Sequence, residues 1–447
     1  IPSPQPAWLT TKGSLMVFIN SSRRQFLRSS IGGATAIGIG SHIPACFTHA
    51  AENSERAREN ILVVVQMSGG NDGLNTLIPF ADPDYKAARP KLGFSADEVL
   101  KCTDSLGFHP SLSGLHELLE SGSLAVLQGV GYDDPNRSHF ESMDIWHTCK
   151  RKQESRPDGW LGRYLDTQAE GSGGDVLALH LGQEQQPFAV NSQSVRVPTV
   201  RELTEFQLRG QHREQLRELL SSSADEKQVV AQQSSTPLSM KDSPSDNDLL
   251  AFLESSTTAA LAASERVSEA VQGYKSDITY PTSELGQKLR IVAQLIDAGL
   301  TTKIYYVQLD GFDTHSQQAQ THSILLKQWS EAVTALMQDL KSHDHDQRVC
   351  VMSFSEFGRR VAENASEGTD HGAAGPMFVC GGKVVAGVVG ESPSLTDLQD
   401  GDLKHHTDFR QVYATVLHDW LGVDPTPILG GQYATLPLFK NQVAGAG

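Results

Sequence analysis

The feature that most constrains the fold of this 447-residue chain is a series of continuous apolar runs of strand length, with helical patterns between them. Continuous runs are typical of strands that are buried on both faces of a parallel sheet. The runs lie at residues 61–67, 124–130, 176–181, 304–309, 349–354 and 377–380, and the helical patterns at 112–119, 285–298, 323–340 and 409–421. This alternation predicts an α/β domain with a doubly wound, mostly parallel sheet.

The charge balance excludes two classes of partner. The chain has 37 Lys and Arg residues against 53 Asp and Glu residues, a formal net charge of -16. Proteins that bind nucleic acid or anionic membrane surfaces need an excess of basic side chains. Beyond the N-terminus no apolar run approaches the ~20 residues that span a bilayer. We therefore expect no nucleic-acid partner and no integral membrane span in the mature chain.

Residues 1–50 have the pattern of a twin-arginine export signal. Arg23 and Arg24 precede a Phe-Leu pair, an apolar stretch rich in Gly and Ala, and small residues suited to a cleavage site. The chain begins with Ile, and Met16 is the start that would place the arginine pair close to the terminus. The pattern predicts a periplasmic or cell-surface protein whose folded domain occupies residues 51–447.

Two other features concern organisation within that domain. Residues 200–280 are interpreted as a helical insertion, with a mobile linker at 220–247 that is rich in Ser, Gln and Asp. The mature chain keeps Cys102, Cys149, Cys350 and Cys380, and their spacing matches no metal-binding clip. We expect the last two to be buried free thiols, and a disulfide between the first two is the alternative that an oxidising compartment allows.

Side chains able to bind a metal flank most of the predicted strands. In a parallel sheet, ligands bind at the carboxyl ends of the strands. Carboxylate and imidazole groups there suit one or two divalent ions such as Zn²⁺, Mn²⁺, Mg²⁺ or Ca²⁺. Two of the candidates, Asp370 and His371, stand before a strand, and the others follow one. The predicted ligands are Asp72, Asp313, His315, Glu356, Asp370 and His371.

Each candidate also has a purely structural interpretation. Asp72 lies in a Gly-rich turn and could cap the next helix. Glu356 could form a solvated salt bridge with Arg359 or Arg360, Asp313 could be a helix N-cap, and the Asp-His-Gly segment could be a loop turn. The functional interpretation depends on these groups converging at one edge of the sheet.

The segment after the run at 124–130 adds candidate catalytic groups. The planar fork of Arg137 matches the oxygens of a phosphate or sulfate. Ser138 could be a nucleophile activated by a metal or by His139. The alternative is that Ser138 is the N-cap of a following helix.

Six segments of the sequence together resemble the bacterial domain-of-unknown-function family 1501. That family looks like a branch of the alkaline-phosphatase and sulfatase superfamily. The segments are residues 67–73 (MSGGNDG), 135–140 (PNRSHF), 311–315 (GFDTH), 353–359 (SFSEFGR), 368–372 (GTDHG) and 407–409 (TDF).

The resemblance implies an alkaline-phosphatase-like fold and a metal-dependent hydrolase of phosphate or sulfate esters. Its substrate would be a small anionic ester or a sulfated or phosphorylated polymer. It assigns Asp72 as the first metal ligand, Asp313 and His315 as a middle pair, and His371 as the final histidine. The sulfatase motif Cys-x-Pro-x-Arg is missing, and Asp133 stands where its cysteine would be. The alternative function is a non-catalytic exported scaffold or binding protein that keeps this fold.

Overall fold

The computed structural model describes residues 59–169, 176–200 and 273–440. The predicted export signal, Met16 and the linker at 220–247 lie outside the described residues, as does the insertion between 201 and 272. None of the described helices combines the length and the apolar character that crossing a bilayer requires.

The described part contains fourteen strands and eight α-helices. The strands are β1 Ile61–Ser68, β2 Leu77–Ile78, β3 Leu100–Lys101, β4 Gly107–Phe108, β5 Leu124–Gly131, β6 Ala178–Leu181, β7 Thr199–Val200, β8 Ile304–Asp310, β9 Val349–Phe354, β10 Gly375–Cys380, β11 Gly387–Val389, β12 Leu398–Gln399, β13 Asp402–Leu403 and β14 Thr407–Asp408. The helices are α1 Pro83–Ala88, α2 Ser113–Glu120, α3 His139–Thr148, α4 Trp160–Gln168, α5 Glu284–Asp297, α6 Gln318–Ser342, α7 Phe409–Thr415 and α8 Pro425–Leu429.

Nine of the strands form one sheet in the order β11-β5-β10-β9-β1-β8-β6-β7, with β14 alongside β5. Strand β1 is parallel to both of its neighbours, β8 and β9. Strand β10 is antiparallel to β9 and to β5. The prediction of a mostly parallel sheet is confirmed. Because β10 runs against its neighbours, the loop that enters β10 lies at the same sheet edge as the carboxyl ends of β1, β8 and β9.

Helices cover both faces of the sheet. Successive side chains of β1 point to opposite faces: Val63 and Val65 pack in one core with side chains of α2, α5 and α6. Leu62 and Val64 pack in a second core with side chains of α3, α4 and α7. This two-sided burial explains the continuous apolar runs in the sequence and confirms the doubly wound α/β class.

Two short ends of the predicted insertion lie within the described residues. At the first end, Val200 is not helical but ends β7, which pairs with β6 in the sheet. At the other end, residues 274–280 have no regular structure. The hydroxyls of Tyr274 and Tyr280 both donate to the Asp339 carboxylate on α6, which ties this segment to the body of the domain.

The cysteines of the described residues are all free thiols. Cys350 and Cys380 are buried in the sheet, as predicted. The alternative disulfide between Cys102 and Cys149 is not formed, because Cys102 packs at one helical layer of the sheet and Cys149 at the other.

The packing of α6 on the sheet gives a testable prediction. Leu326 is fully buried in the first core, whereas Ile324 on the same helix is 48% exposed. Leu326→Ala leaves a cavity, so we expect it to lower the free energy of unfolding by about 2–5 kcal/mol. Ile324→Ala is the matched control and should change it by less than about 0.5 kcal/mol. Urea denaturation measures both, and equal midpoints for the two variants would contradict the described face of α6.

Candidate metal centre

Four loops and the start of one helix meet at the edge of the sheet formed by the carboxyl ends of β1, β8 and β9. Asp313 and His315 lie in the loop after β8, and Glu356 follows β9. His371 lies in the loop that enters β10, and His139 is the first residue of α3. The structure thus brings together five of the residues that the sequence analysis proposed.

The Asp313 carboxylate is the centre of the group. Its Oδ1 lies 3.0 Å from Nε2 of His315 and 3.1 Å from Nε2 of His371. Its Oδ2 lies 3.4 Å from Nε2 of His139. The ligand atoms of His139, Asp313 and His371 all lie within 4.8 Å of one another, which is compact enough to hold one metal ion. We call His139, Asp313, His315 and His371 the histidine cluster.

The other ring nitrogen of each histidine faces an oxygen acceptor. These contacts join His139 Nδ1 to Glu356 Oε1 at 2.8 Å, His371 Nδ1 to the Arg137 carbonyl at 2.8 Å, and His315 Nδ1 to Asp370 Oδ1 at 3.4 Å. A carbonyl or carboxylate can only accept, so Nδ1 carries the proton in each contact. With Nδ1 donating on one side, Nε2 of each ring faces Asp313 on the other, and this is the orientation in which a histidine can bind a metal through Nε2.

The donor atoms of the cluster fit a divalent ion. Nε2 of His139 is buried and has no hydrogen-bond partner. The Nε2 atoms of His315 and His371 lie only 2.9 Å apart, and two lone pairs facing each other at that distance repel unless a cation or proton lies between them. Neighbouring ligands on an ion with bonds of about 2.0–2.1 Å are about 3 Å apart. A set rich in imidazole suits Zn²⁺ better than Mg²⁺ or Ca²⁺, which prefer oxygen.

A buried arginine that the sequence analysis did not assign to the site sets the charge of Asp313. Nη2 of Arg359 donates to Asp313 Oδ1 at 2.8 Å, and the arginine side chain is fully buried. Burial alone would raise the pKa of the Asp313 carboxyl, but the hydrogen bonds from Arg359 and His371 lower it to about 2. The carboxylate is therefore ionised at neutral pH. The sequence analysis considered Arg359 only as a possible salt-bridge partner of Glu356. The structure does not contain that pairing.

Glu356 is buried behind the cluster and fixes His139. Besides the His139 ring, its Oε1 accepts from the Gly69 N–H at 2.9 Å, and its Oε2 accepts from the Ser355 hydroxyl at 3.1 Å. Glu356 also holds helix α3 in place, because the Ser142 hydroxyl donates to the Glu356 carbonyl at 2.6 Å. Glu356 thus orients His139, and the His139 ring lies between Glu356 and Asp313. The role of Glu356 as a direct metal ligand stays a prediction.

Asp72 lies apart from the histidine cluster. The Arg89 guanidinium donates to both of its carboxylate oxygens, at 2.6 and 3.1 Å, and the Gln318 amide also donates to it. Both side chains of the ion pair are fully buried. Asp72 stands at the N-cap of a short 3-10 turn, but its side chain makes no capping hydrogen bond. The structure therefore gives Asp72 a buried arginine as its partner, and no sequence signal marked Arg89 for that position.

The two remaining candidates are close to His139 in sequence. Nε of Arg137 donates to Asp402 Oδ2 at 2.7 Å, and Nη2 lies 2.5 Å from the same oxygen as an ion pair. This contact occupies the fork that was expected to face an anionic substrate. Ser138 is exposed at the N-cap position of α3 and makes no capping hydrogen bond through its side chain. Its role as nucleophile stays a prediction.

The Asp72–Arg89 pair gives a prediction about stability. Asp72→Asn leaves the Arg89 guanidinium buried without an anionic partner, so we expect the free energy of unfolding to fall by about 3–5 kcal/mol. Lys91→Met is the matched control, because Lys91 pairs with Glu367 at the surface, where both side chains are largely exposed. It should leave the urea midpoint unchanged. A similar shift in the two variants would contradict the buried pairing.

The same pair predicts the acid sensitivity of the fold. Burial would raise the pKa of Asp72, but the charge of Arg89 lowers it from 3.8 to about 2. A carboxyl with a depressed pKa stabilises the fold above its unfolded pKa and loses that contribution as the pH falls through the folded value. About 2 kcal/mol of stability should therefore disappear between pH 4 and pH 2. In Asp72→Asn this part of the pH dependence should be missing from thermal melts.

Three solved structures illustrate what the chain is similar to. A protein of the alkaline phosphatase superfamily from Vibrio parahaemolyticus is 10% identical, with 84% of this chain and 69% of that chain covered and a TM-score of 0.37. The PsFucS1 sulfatase from Pseudoalteromonas sp. is 10% identical, with 87% and 72% covered and a TM-score of 0.36. The C-terminal periplasmic domain of EcEptC from Escherichia coli is 11% identical, with 87% and 92% covered and a TM-score of 0.37.

None of the curated proteins matches the sequence significantly. The family resemblance is confirmed over most of the chain: residues 59–434 match the family described as "Protein of unknown function (DUF1501)", and the chain belongs to that family.

Proposed function

We propose that this chain is an exported, metal-dependent hydrolase of phosphate or sulfate esters. Its metal centre is the histidine cluster of His139, Asp313, His315 and His371. The substrate is a small anionic ester, or a sulfated or phosphorylated polymer that presents such an ester at the edge of the sheet.

One observation carries the proposal. The three histidines donate from Nδ1 to fixed acceptors and turn Nε2 toward the same carboxylate. Hydrogen bonding of this kind fixes the tautomer and direction of a histidine ligand. A purely structural set of histidines would gain nothing from presenting three Nε2 atoms to one point, with one of them left without a hydrogen bond.

The chemistry follows from the donor set. The four residues of the histidine cluster would hold a divalent ion, which would supply Lewis acidity at a phosphoryl or sulfuryl oxygen of the ester. The protein supplies the rest: Glu356 orients His139, the Arg137 carbonyl orients His371, and Arg359 keeps Asp313 ionised and in place. The imidazole-rich set makes Zn²⁺ the first candidate among the ions named above.

We take water as the nucleophile. In the described part of the chain, the cluster histidines contact carboxylates, a carbonyl and one another, and none of them has a hydrogen bond to a hydroxyl. A serine nucleophile is activated by such a base or by a metal, so the role of Ser138 stays a prediction and water is the simpler choice. Water oxygen bonds to phosphorus or sulfur, the ester bond to that atom breaks, and the alcohol leaves with a proton.

The second candidate function is a non-catalytic exported scaffold or binding protein. The contact between Arg137 and Asp402 favours it, because the guanidinium expected to face an anionic substrate is already paired. A metal centre in such a protein would serve the fold and not a reaction.

Metal content tests the centre directly. We expect the purified full-length protein to hold at least one divalent ion per chain by elemental analysis. Asp313→Asn removes the charge at the centre and should lower that content at least tenfold. His418→Asn is the matched control: His418 is exposed and neighbours Trp420, whose ring N–H contacts the carbonyl of Ile61 at the opposite edge of the sheet.

The same preparations separate the two candidate functions. Hydrolysis of aryl phosphate or aryl sulfate esters that is lost in Asp313→Asn and retained in His418→Asn supports the hydrolase. Bound metal without turnover of either ester class supports the scaffold. Wild-type protein that binds no ion, even after dialysis against Zn²⁺ or Mn²⁺, rejects the metal centre.

Export gives a separate prediction, which depends on residues 1–50 alone. Substituting Arg23 and Arg24 together by lysine keeps the charge and removes the arginine pair. We expect the wild-type chain to reach the periplasm of a host with a twin-arginine system and the double variant to stay in the cytoplasm. Cell fractionation and immunoblotting measure this, with Arg56→Lys as a control outside the motif. Equal export of both chains would reject the twin-arginine assignment.

A further inference from the structure

We propose that Asp402 is a positioning residue of the metal centre and that it acts on His371 through Arg137. This inference rests on the proposed metal centre. It gives Arg137 a structural task in place of substrate binding, and it adds a residue from the β12–β13 hairpin that no sequence motif pointed to.

The argument begins with an unbroken series of short contacts. Asp402 Oδ2 accepts from Nε of Arg137 at 2.7 Å and forms an ion pair with its Nη2 at 2.5 Å. The Arg137 carbonyl then accepts from His371 Nδ1 at 2.8 Å. Because a carbonyl can only accept, this last contact is what directs Nε2 of His371 toward Asp313, 3.1 Å away. Asp402 therefore determines the position of the group that fixes the ring.

Arg137 is linked to two histidines of the cluster at once. It is hydrogen-bonded to His371, and only Ser138 separates it from His139 in the chain. The rest of this loop is tied down by local contacts, since the Asn136 N–H donates to the Tyr132 hydroxyl at 3.1 Å. The side chain of Arg137 is 38% exposed, so the contact with Asp402 is its main anchor. Loss of that anchor would loosen two histidines together.

The burial of Asp402 supports a task beyond stability. Its side chain is only 2% exposed, and Oδ1 accepts no hydrogen bond, with Nε of Arg360 at 3.7 Å as the nearest cation. A buried carboxylate oxygen that accepts no hydrogen bond costs free energy. Apolar residues often replace a buried ion pair without loss of stability. A charged residue at position 402 is explained if the Asp402 carboxylate serves to hold the Arg137 side chain in position.

There is also room for the guanidinium to move when it is released. A cavity of about 220 Å³ lies beside the contact and is lined by Arg137, Asp402, Ala373 and His405, among others. Without the carboxylate, the Arg137 side chain can turn into this space and draw its carbonyl away from His371. The ring would then populate both neutral tautomers, and Nε2 would lose its fixed role as a ligand.

The test compares two neighbouring aspartates. Asp402→Asn keeps the shape of the side chain and removes its charge. Asp400→Asn is the matched control, because Asp400 is exposed and has a positive φ of 53°, which asparagine tolerates well. For each full-length protein, Zn²⁺ affinity is measured by competition with a chromophoric chelator. The tautomer of His371 in the metal-free protein is read from its ring ¹⁵N shifts, and a thermal melt checks folding.

We expect Asp402→Asn to weaken Zn²⁺ binding 10- to 100-fold, as is common for residues that orient a metal ligand. The His371 spectrum should change from one tautomer to a mixture, and Asp400→Asn should match the wild type in both readouts. A folded Asp402→Asn variant with wild-type affinity and a single tautomer would overturn the proposal.

The two readouts separate this inference from the proposed function. If the wild type binds no metal, the metal centre fails, and the ¹⁵N spectra of the metal-free proteins still decide whether Asp402 positions His371. If Asp402→Asn does not fold, Arg137→Lys takes its place. Lysine keeps the charge but replaces the two-point contact with a single one, so affinity should fall severalfold, and an unchanged affinity would overturn the proposal.

Discussion

The loops of the candidate centre depend on one buried cation, Arg359. Its guanidinium donates to the carbonyls of Gly70, Phe312 and Thr369, which belong to the loops after β1, after β8 and before β10, and to the Asp313 carboxylate. Arginine suits this place because its planar fork has five donors and does not lose its charge. A buried guanidinium left without acceptors costs several kcal/mol. The loops therefore cannot separate, and Asp313 is held in a fixed position within them.

The second constraint is the direction of β10. A parallel β10 would have placed the loop with Asp370 and His371 at the far edge of the sheet, a strand length away from Asp313. Because β10 is antiparallel to β9 and β5, its entry loop lies among the carboxyl ends of the parallel strands. Because of this one antiparallel strand, residues from loops that follow parallel strands and residues from the loop that enters β10 form one cluster.

Aspartates at similar places in the fold have different tasks because of their partners. Asp313 contacts one arginine and three imidazoles, and its carboxylate stays accessible to a cation on the side of the imidazoles. Asp72 and Asp402 are paired by Arg89 and Arg137 and are nearly inaccessible to solvent. Reading strand ends in the sequence found Asp313 and Asp72 with equal weight, since both follow a buried strand. Only the partner distinguishes them: Arg89 lies 17 residues from Asp72 in the sequence, and Arg359 lies 46 residues from Asp313.

The sequence by itself determined the α/β class and the six main strands, because burial on two faces is a local pattern. Polar strand ends also pointed to Asp313, His315, Asp370 and His371 as candidate ligands, and their role as ligands stays a prediction. It proposed His139 only as an activating base and missed Arg89, Arg359 and Asp402 as partners. Tertiary structure decided those pairings and the direction of β10. The physical reason is that each depends on which other segment brings a charge or a hydrogen-bonding edge into a buried space. The contact of Arg137 with Asp402 spans 265 residues, that of Arg359 with Asp313 spans 46, and that of Arg89 with Asp72 spans 17.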